Sequence, residues 1–263
     1  MTTSIHPTAI IDASAQIGEN VSIGPYSIIE KNSRVGNGCR MSSHVRIGEN
    51  TVIGENCTIY QGAVLGTIAQ DLKYQGEEAW LEIGDNNIFR EYCTVNRGTI
   101  ASGKTVIGSN CAFLAYSHVG HDCNVGDGII ASNCVHLAGH VTIGNNVGFG
   151  GVVAVHQFCT IGDHAYIGAF SKVVKDVIPF SLLGGEVNNH RICGINKVGL
   201  ERSGFDEKRR RKIKRAYKSL FREGLAVTEA LQKLEQEYDG DHDVARIISF
   251  IKDSERGLYN MNI

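Results

Sequence analysis

From Ile5 to Val173, almost every sixth residue is apolar. The series runs Ile5, Ile11, Ile17, Ile23, Ile29, Val35, Met41, Ile47, Ile53, Ile59 and Leu65, then resumes in phase at Ile83, Phe89 and Val95. It continues through Ile107, Phe113, Val119, Val125, Leu137, Ile143, Phe149, Val155, Ile161, Ile167 and Val173. Asp71 and Glu77 break it outright and Ala101 and Ala131 are merely small, in a chain that is 42% hydrophobic overall. A six-residue period fits neither the helical repeat of about 3.6 nor the alternation of a flat strand. It fits a chain that turns a corner after each short strand and stacks on itself, so this is a repeat protein.

The residue after the apolar position is often glycine, as at Gly18, Gly24, Gly36, Gly48, Gly54, Gly84, Gly108, Gly126, Gly144, Gly162 and Gly168. This spacing predicts glycine at the corners, where backbone freedom is needed. Four residues after the apolar position the side chain is small, as at Ala9, Ala15, Val21, Ser27, Ser33, Cys39, Val45, Thr51, Cys57 and Ala63. One large and one small inward residue per face describe a narrow triangular column, a parallel β-helix. Three faces give an 18-residue turn and about nine turns, stacked at the ~4.8 Å spacing of hydrogen-bonded strands. Burial is worth roughly 1.5–3 kcal/mol per aliphatic side chain, and only stacking can bury the ladder. Periodicity leaves the hand of the coil open.

Residues 67–82 carry charges in the inner phase and the only tryptophan, Trp80, which predicts an excursion from the column. Asn96 to Thr105, with Gly98 and Gly103, reads as a second surface loop. Past Val173, Pro179, Gly184, Gly185 and Gly194 predict an irregular crossing segment. Helical patterns then follow. Asp206 caps a helix carrying Ile213, Ala216, Tyr217, Leu220 and Phe221, which closes at Gly224. Thr228 is expected to cap a second, with Leu231 and Leu234 inward, and Val244, Ile247, Ile248 and Ile251 mark a third. The expected division is residues 1–178 as the column and 179–263 as connection plus helical domain, with two cores.

A net charge of −2 argues against general nucleic-acid binding. Basic residues nevertheless crowd Lys208–Lys218, including Arg210, Arg211 and Lys214. This run reads either as a solvated helix face or as a docking patch for an acidic partner. The eight cysteines include no CxxC pair, and Cys39, Cys57 and Cys111 replace small core residues, as in a reducing compartment. No signal peptide or transmembrane run is read, so a soluble cytoplasmic protein is expected.

His118, His121, His136, His140 and His156 cluster within one stretch. An 18-residue turn stacks His118 beneath His136 and Asp122 beneath His140. Two chemistries suit the cluster. His121 acts as a general base oriented by Asp122, or three histidines bind zinc and activate water. The zinc reading accounts for neither the charged loop nor the basic helix, which favours the base without metal or organic cofactor. A non-catalytic scaffold is the third reading.

The strings Gln70-Asp71-Leu72-Lys73-Tyr74, Asn96-Arg97-Gly98-Thr99, His118-Val119-Gly120-His121-Asp122-Cys123, Leu137-Ala138-Gly139-His140 and Ala154-Val155-His156-Gln157-Phe158 resemble the UDP-N-acetylglucosamine acyltransferase family. The likeness extends to Arg202-Ser203-Gly204-Phe205 and Ala216-Tyr217-Lys218. It implies a left-handed β-helix of hexapeptide repeats with a C-terminal α-helical domain. It also implies a homotrimer with active sites between columns. The implied reaction opens lipid A synthesis, moving a (3-hydroxy)acyl chain from acyl carrier protein to the sugar 3-position. A related N-acyltransferase carries a further N-terminal domain, for which no room is expected before Ile5.

By the same resemblance, His121 is the base, Asp122 its partner and Gly139 the oxyanion donor. Asp71, Lys73, Asn96, His118, His140, His156, Gln157, Asn196 and Arg202 contact substrates. Tyr166 and Ala169 border the acyl groove, where a methyl group in place of the common glycine shortens the accepted chain. Arg210, Arg211 and Lys214 dock the acidic carrier protein. Asn96 stands where the family commonly has histidine, Val198 where it has glutamate, and Ser203 in place of a second arginine. A 3-amino sugar acceptor therefore stays open beside the 3-hydroxy one.

Overall fold

The computed structural model describes residues 2–186 and 189–260. Short strands, parallel except for the last of the first face, form three faces, of eleven, nine and eight strands, that start at Ser4–Ile5, Ile10–Ile11 and Gln16–Ile17 respectively. Each strand pairs with the one a full turn later, as Ile5 with Ile23, Ile11 with Ile29 and Ile17 with Val35. From Ile23 onward the members of the sixfold series that lie in the coil point inward, and Ile47, Ile59, Leu65, Ile161, Ile167 and Val173 are wholly buried, while Ile5 at the open end of the column is 46% exposed. The expected parallel β-helix is therefore the fold.

The small inward position has a polar use that periodicity does not reveal. Ser27 and Ser33 donate their hydroxyls to the carbonyls of Ser42 (3.0 Å) and Gly48 (2.8 Å) on the next turn. The thiols of Cys39, Cys111 and Cys123 do the same to Gly54, Gly126 and Ala138. Serine, cysteine and alanine interchange there because space is tight and the hydroxyl or thiol tops up a corner carbonyl.

The corners correct the expectation for glycine. The left-handed residue lies three positions after the apolar one and is rarely glycine: Asn20 (φ 57°), Asn56 (φ 56°), Asp122 (φ 59°) and His140 (φ 60°) are examples. The glycines directly after the apolar position have ordinary φ, except Gly66 (φ 88°) where the first excursion begins. They are needed because turns approach closely, and a Cβ on Gly36 would lie 2.5 Å from the Gly54 carbonyl.

Each corner has its own character. The corner between the third and first faces carries Asn20, Asn56, Asn86, Asn110 and Asn146, interrupted by Gly38, Gly128 and His164. The corner between first and second faces carries the exposed Tyr26, Tyr92, Tyr116, Val152 and Phe170, with Tyr92 stacked on Tyr116 at 5.3 Å. The corner between second and third faces holds Asp122 and His140.

Both loops leave from that last corner. Strand partners change from the regular spacing to Ile53 with Ile83 and Leu65 with Val95, then to Ile83 with Ile107 and Val95 with Val119. Asp71, Glu77 and Ala101 thus occupy no coil position, and the sequence phase survives because each insertion is a whole number of hexads. The loops also bond to each other. Gly98 N–H donates to Trp80 O, Trp80 N–H to Gly103 O, and Arg97 N–H to Thr67 O. Asn96, Arg97 and Thr99 are buried, so the second loop is not simply superficial.

The crossing segment is more regular than expected. Ser181–Glu186 extends the first face in parallel with Tyr166–Ile167, and Asn189–Ile195 returns antiparallel to it. Four helices follow: α1 (Lys197–Arg202), α2 (Glu207–Arg222), α3 (Val227–Glu237) and α4 (His242–Asp253). Asp206 caps α2 through Arg209 N–H at 2.7 Å, as predicted. Thr228 lies inside α3, whose cap is Ala226, and the Glu229 carboxylate accepts the Ala226 N–H at 3.0 Å. The two expected cores are one, continuous through Ile178, Phe180, Leu183 and Tyr217.

These packing rules predict opposite responses at two corner positions. Gly36→Ala should cost about 1–3 kcal/mol through overpacking. Asn20→Gly, which already has φ of 57°, should stay within about 1 kcal/mol of wild type. Urea unfolding midpoints at fixed protein concentration check both.

Candidate active site

His118 and His136 are register partners on the second face, and their rings meet edge-on at 6.4 Å. Two residues beyond that strand the chain turns, and the left-handed backbone at Asp122 directs its carboxylate back into the corner. The Asp122 side chain is fully buried. Its Oδ1 accepts Thr99 N–H at 2.9 Å and the Ser102 hydroxyl. Its Oδ2 accepts the Thr99 hydroxyl at 2.8 Å and His121 Nδ1 at 2.7 Å. Its own N–H donates to Thr105 Oγ1 at 2.8 Å. Burial works to raise its pKa, but the donors outweigh burial and hold the carboxyl at about 2. An ionised carboxylate only accepts, so His121 carries its proton on Nδ1 and leaves Nε2 as the basic nitrogen.

The His121 ring lies over Gly139 on the next turn. A Cβ there would fall 2.6 Å from its Nε2 and Cε1, so only glycine admits the ring. His140 meets His121 edge-on at 5.1 Å and stacks on Phe158 at 4.6 Å, and its Nε2 lies 3.7 Å from Asp122 Oδ2. His118 shares a hydrogen bond of 2.8 Å with Thr94 Oγ1. Burial, then the neighbouring His136 and His121, push its pKa down to about 4, so it is neutral near pH 7.

His118, His121, Asp122, Gly139 and His140 therefore form one ledge. His156 follows further up the second face, exposed, with Nδ1 3.1 Å from Gln157 O and 3.2 Å from Arg256 Nη2. Arg256 had no signal in the sequence pattern. It reaches this ledge because buried Asp176 accepts Ser254 Oγ (2.7 Å) and Arg256 N–H (3.2 Å), pinning the terminal segment against the column. Asp71 and Lys73 project from the loop at the same corner, where Asp71 Oδ1 accepts Lys73 N–H at 3.0 Å. Thr99 and Ser102 were also missed. The sequence hints were the irregular loop that contains them and, for Thr99, the Asn96-Arg97-Gly98-Thr99 string.

Other predicted site residues stand elsewhere. Asn96 is 1% exposed, and its amide donates to Thr67 Oγ1 (3.0 Å) and Ile68 O (2.9 Å), so it staples the two loops from within. Asn196 caps α1, accepting Gly199 N–H at 3.0 Å and donating to His164 O at 2.9 Å. Arg202 ends α1 and is exposed. Tyr166 lies on the first face and Ala169 at the aromatic corner, both away from His121 within one chain.

The basic run is divided. Arg210 pairs with Glu201 at 3.1 Å and Arg211 with Glu207 at 2.6 Å. Arg209 and Lys212 pair with Asp243 and Asp241 at the start of α4. Lys214, with Arg215, Lys218, Arg222 and Arg211 itself, lines a groove against strand Asn189–Ile195.

His121, Asp122 and His140 offer ligand atoms within 4.8 Å of one another. Both Asp122 oxygens, however, already hold two donors each. That arrangement suits a carboxylate serving an imidazole better than one free to ligate an ion.

The likeness of this chain to known proteins, beside its imidazole aligned by a buried anion on a ledge of hexad coils, places it among the hexapeptide-repeat transferases. Residues 14–49 match the bacterial transferase hexapeptide family, and 176–259 match the second domain of UDP-N-acetylglucosamine O-acyltransferase. The acyl-[acyl-carrier-protein]–UDP-N-acetylglucosamine O-acyltransferase of Anaeromyxobacter sp. (strain K) is 44% identical, over 97% of this chain and 99% of its own length. The crystal structure of UDP-N-acetylglucosamine O-acyltransferase from Moraxella catarrhalis aligns with TM-score 0.93 at 44% identity, covering 97% of this chain and 99% of that one. The Francisella novicida enzyme aligns with TM-score 0.94 at 39% identity, covering 97% and 94% respectively. The chain belongs to the UDP-N-acetylglucosamine O-acyltransferase family, and it is an acyltransferase. Among the described residues no helix is long and apolar enough to cross a membrane.

Because burial keeps His118 neutral, its ring resonances should not titrate between pH 5 and 8. Imidazole carbon–proton correlation spectra check this, and a midpoint near the ordinary histidine value of about 6.5 would contradict it.

Proposed function

We propose that this chain transfers a (3-hydroxy)acyl group from acyl carrier protein to the 3-hydroxyl of UDP-N-acetylglucosamine, the first step of lipid A biosynthesis. The observation that carries the mechanism is the His121–Asp122 pair lying over Gly139. His121 Nε2 takes the hydroxyl proton as that oxygen attacks the thioester carbonyl. The resulting oxyanion meets the Gly139 N–H, which donates to no described group; one such donor is typically worth ~3–4 kcal/mol. Collapse forms the ester and expels the carrier's thiolate, which takes the proton back from the imidazolium. Asp122 holds the ring and stabilises its charged form. The thioester itself supplies the activation, so the steps route through no metal or organic cofactor.

Asp71, Lys73, His118, His140, His156, Gln157 and Arg202 then bind the nucleotide sugar and the acyl-phosphopantetheine. The exposed aromatic corner supports a homotrimer, because a neighbouring column packed there would wall the second face into a cleft. Tyr166, on the far side of that corner, and Ala169, at the corner itself, would border the neighbour's acyl groove. The column up to residue 178 thus carries the chemistry, and the unit from 179 carries the docking surface. Since Arg210 and Arg211 are internally paired, Lys214 and its unpaired neighbours supply most of the attraction for the acidic carrier. The enzyme works in the cytoplasm, where both substrates are made.

Incubation with UDP-N-acetylglucosamine, its 3-amino analogue and a panel of acyl carrier protein thioesters should yield an acylated sugar nucleotide by mass spectrometry. No product with any thioester would refute the reading, and preference for the amine would change the acceptor. His121→Ala should lower kcat/KM by about 10²–10⁴-fold with the melting temperature retained. Reversing Lys214 and Lys218 to glutamate should raise KM for the carrier thioester while leaving KM for the sugar nucleotide unchanged.

A further inference from the structure

The loop between Asn96 and Thr105 lengthens one turn of the column by a single hexad, directly beneath the turn that carries Asp122. Its polar groups converge on one target. Thr99 supplies its backbone N–H (2.9 Å) and its hydroxyl (2.8 Å), one to each carboxylate oxygen. Ser102 supplies a second donor to Oδ1. Ser102 Oγ also lies 2.8 Å from Lys104 O, but its one proton goes to the carboxylate, the stronger acceptor. Thr105 Oγ1 takes the Asp122 N–H from the other side. Each Asp122 oxygen is thereby held by two donors, and the carboxylate cannot rotate without breaking a contact made in a buried site.

The loop is braced in turn by the 67–82 excursion. Ile100 N–H points to Glu77 Oε1 at 3.4 Å, Arg97 Nη2 reaches Tyr74 OH at 3.4 Å, and the Asn96 amide bonds Thr67 and Ile68. Arg97 is anchored by Glu49 Oε1 at 2.6 Å, two turns below the clamp. A regular coil has no such residues to offer, since a turn of ordinary length ends before it can reach Asp122.

We propose that Thr99 and Ser102 are positioning residues for the transfer reaction. They lock the Asp122 carboxylate so that His121 keeps its proton on Nδ1 and its Nε2 aimed at the acceptor hydroxyl. This rests on the acyl-transfer reading above. Their absence would let the carboxylate swing within its pocket, and the ring would lose both its fixed tautomer and its aim. Ground-state binding would survive, because neither side chain faces the ledge.

The test compares Ser102→Ala, Thr99→Val and the double variant with the hydroxyl-retaining Ser102→Thr and Thr99→Ser. The hydroxyl-free variants should lose about 10–100-fold in kcat, with KM for both substrates within about twofold, by analogy with the outer partners that orient metal-binding imidazoles and carboxylates. The hydroxyl-retaining variants should recover most of that loss. Nitrogen shifts of the His121 ring at pH 8 give a readout independent of the reaction. Wild type should show the Nδ1–H tautomer and the hydroxyl-free variants a mixture. If wild type fails to transfer acyl groups, the reaction assignment falls while the ring spectra still judge the clamp. Unchanged kcat and an unchanged tautomer in Ser102→Ala and in a folded double variant would overturn the proposal. Should the double variant not fold, the exposed Ser102 position decides alone.

Discussion

The structure depends on one constraint, the parallel backbone ladder that ties each short strand to its equivalent a turn later. Bonds such as Ser22 N–H to Cys39 O and His118 N–H to Val135 O, at 2.9 and 2.8 Å, repeat along the column. They hold each turn at a single height and orientation relative to the next. That register buries the Ile and Val ladder and aligns the corners into three lines. It also brings His118 to His136 and Asp122 to His140. A slip of one residue would turn the apolar series outward, so the burial that stabilises the column also fixes the geometry of the site.

The corner geometry has chemical consequences. The left-handed residue at each turn is stable for asparagine and aspartate because their short polar side chains bond locally. On one edge this produces a run of asparagines, interrupted by Gly38, Gly128 and His164. On another, the same backbone position carries Asp122, whose inward carboxylate finds a loop of donors. Burial alone would push this acid towards neutrality. Four donors reverse that outcome and hold the charge that the neighbouring imidazole needs. The fold therefore uses a turn that it makes everywhere, and an inserted hexad makes one copy of it reactive.

The helical unit follows different rules. Its basic run splits because α2 must pack on α3 and α4, which brings Asp241 and Asp243 beside Lys212 and Arg209. Of the side chains turned towards strand Asn189–Ile195, Arg211 pairs with Glu207 within α2, whereas Lys214, Arg215, Lys218 and Arg222 keep their charge available. Exposed charges of this sort contribute little to folding but set the field that an acidic partner meets.

Much was legible from the chain alone. The apolar hexads determined the column, the number of its turns and the stacking of His118 on His136, because those depend only on a period that local sequence repeats. The caps at Asp206 and the apolar faces of α2 and α4 were equally local. The glycines were located correctly, but their purpose was not, because close approach between turns is a property of the stack rather than of the corner. What tertiary structure alone decided is the grip on Asp122, the inward turn of Asn96, the capping role of Asn196 and the arrival of Arg256 beside His156. Each joins residues whose separation no repeat sets, through insertions or a returning terminus. Periodicity can place side chains that share a phase, whereas contacts between irregular segments arise only once the chain has packed.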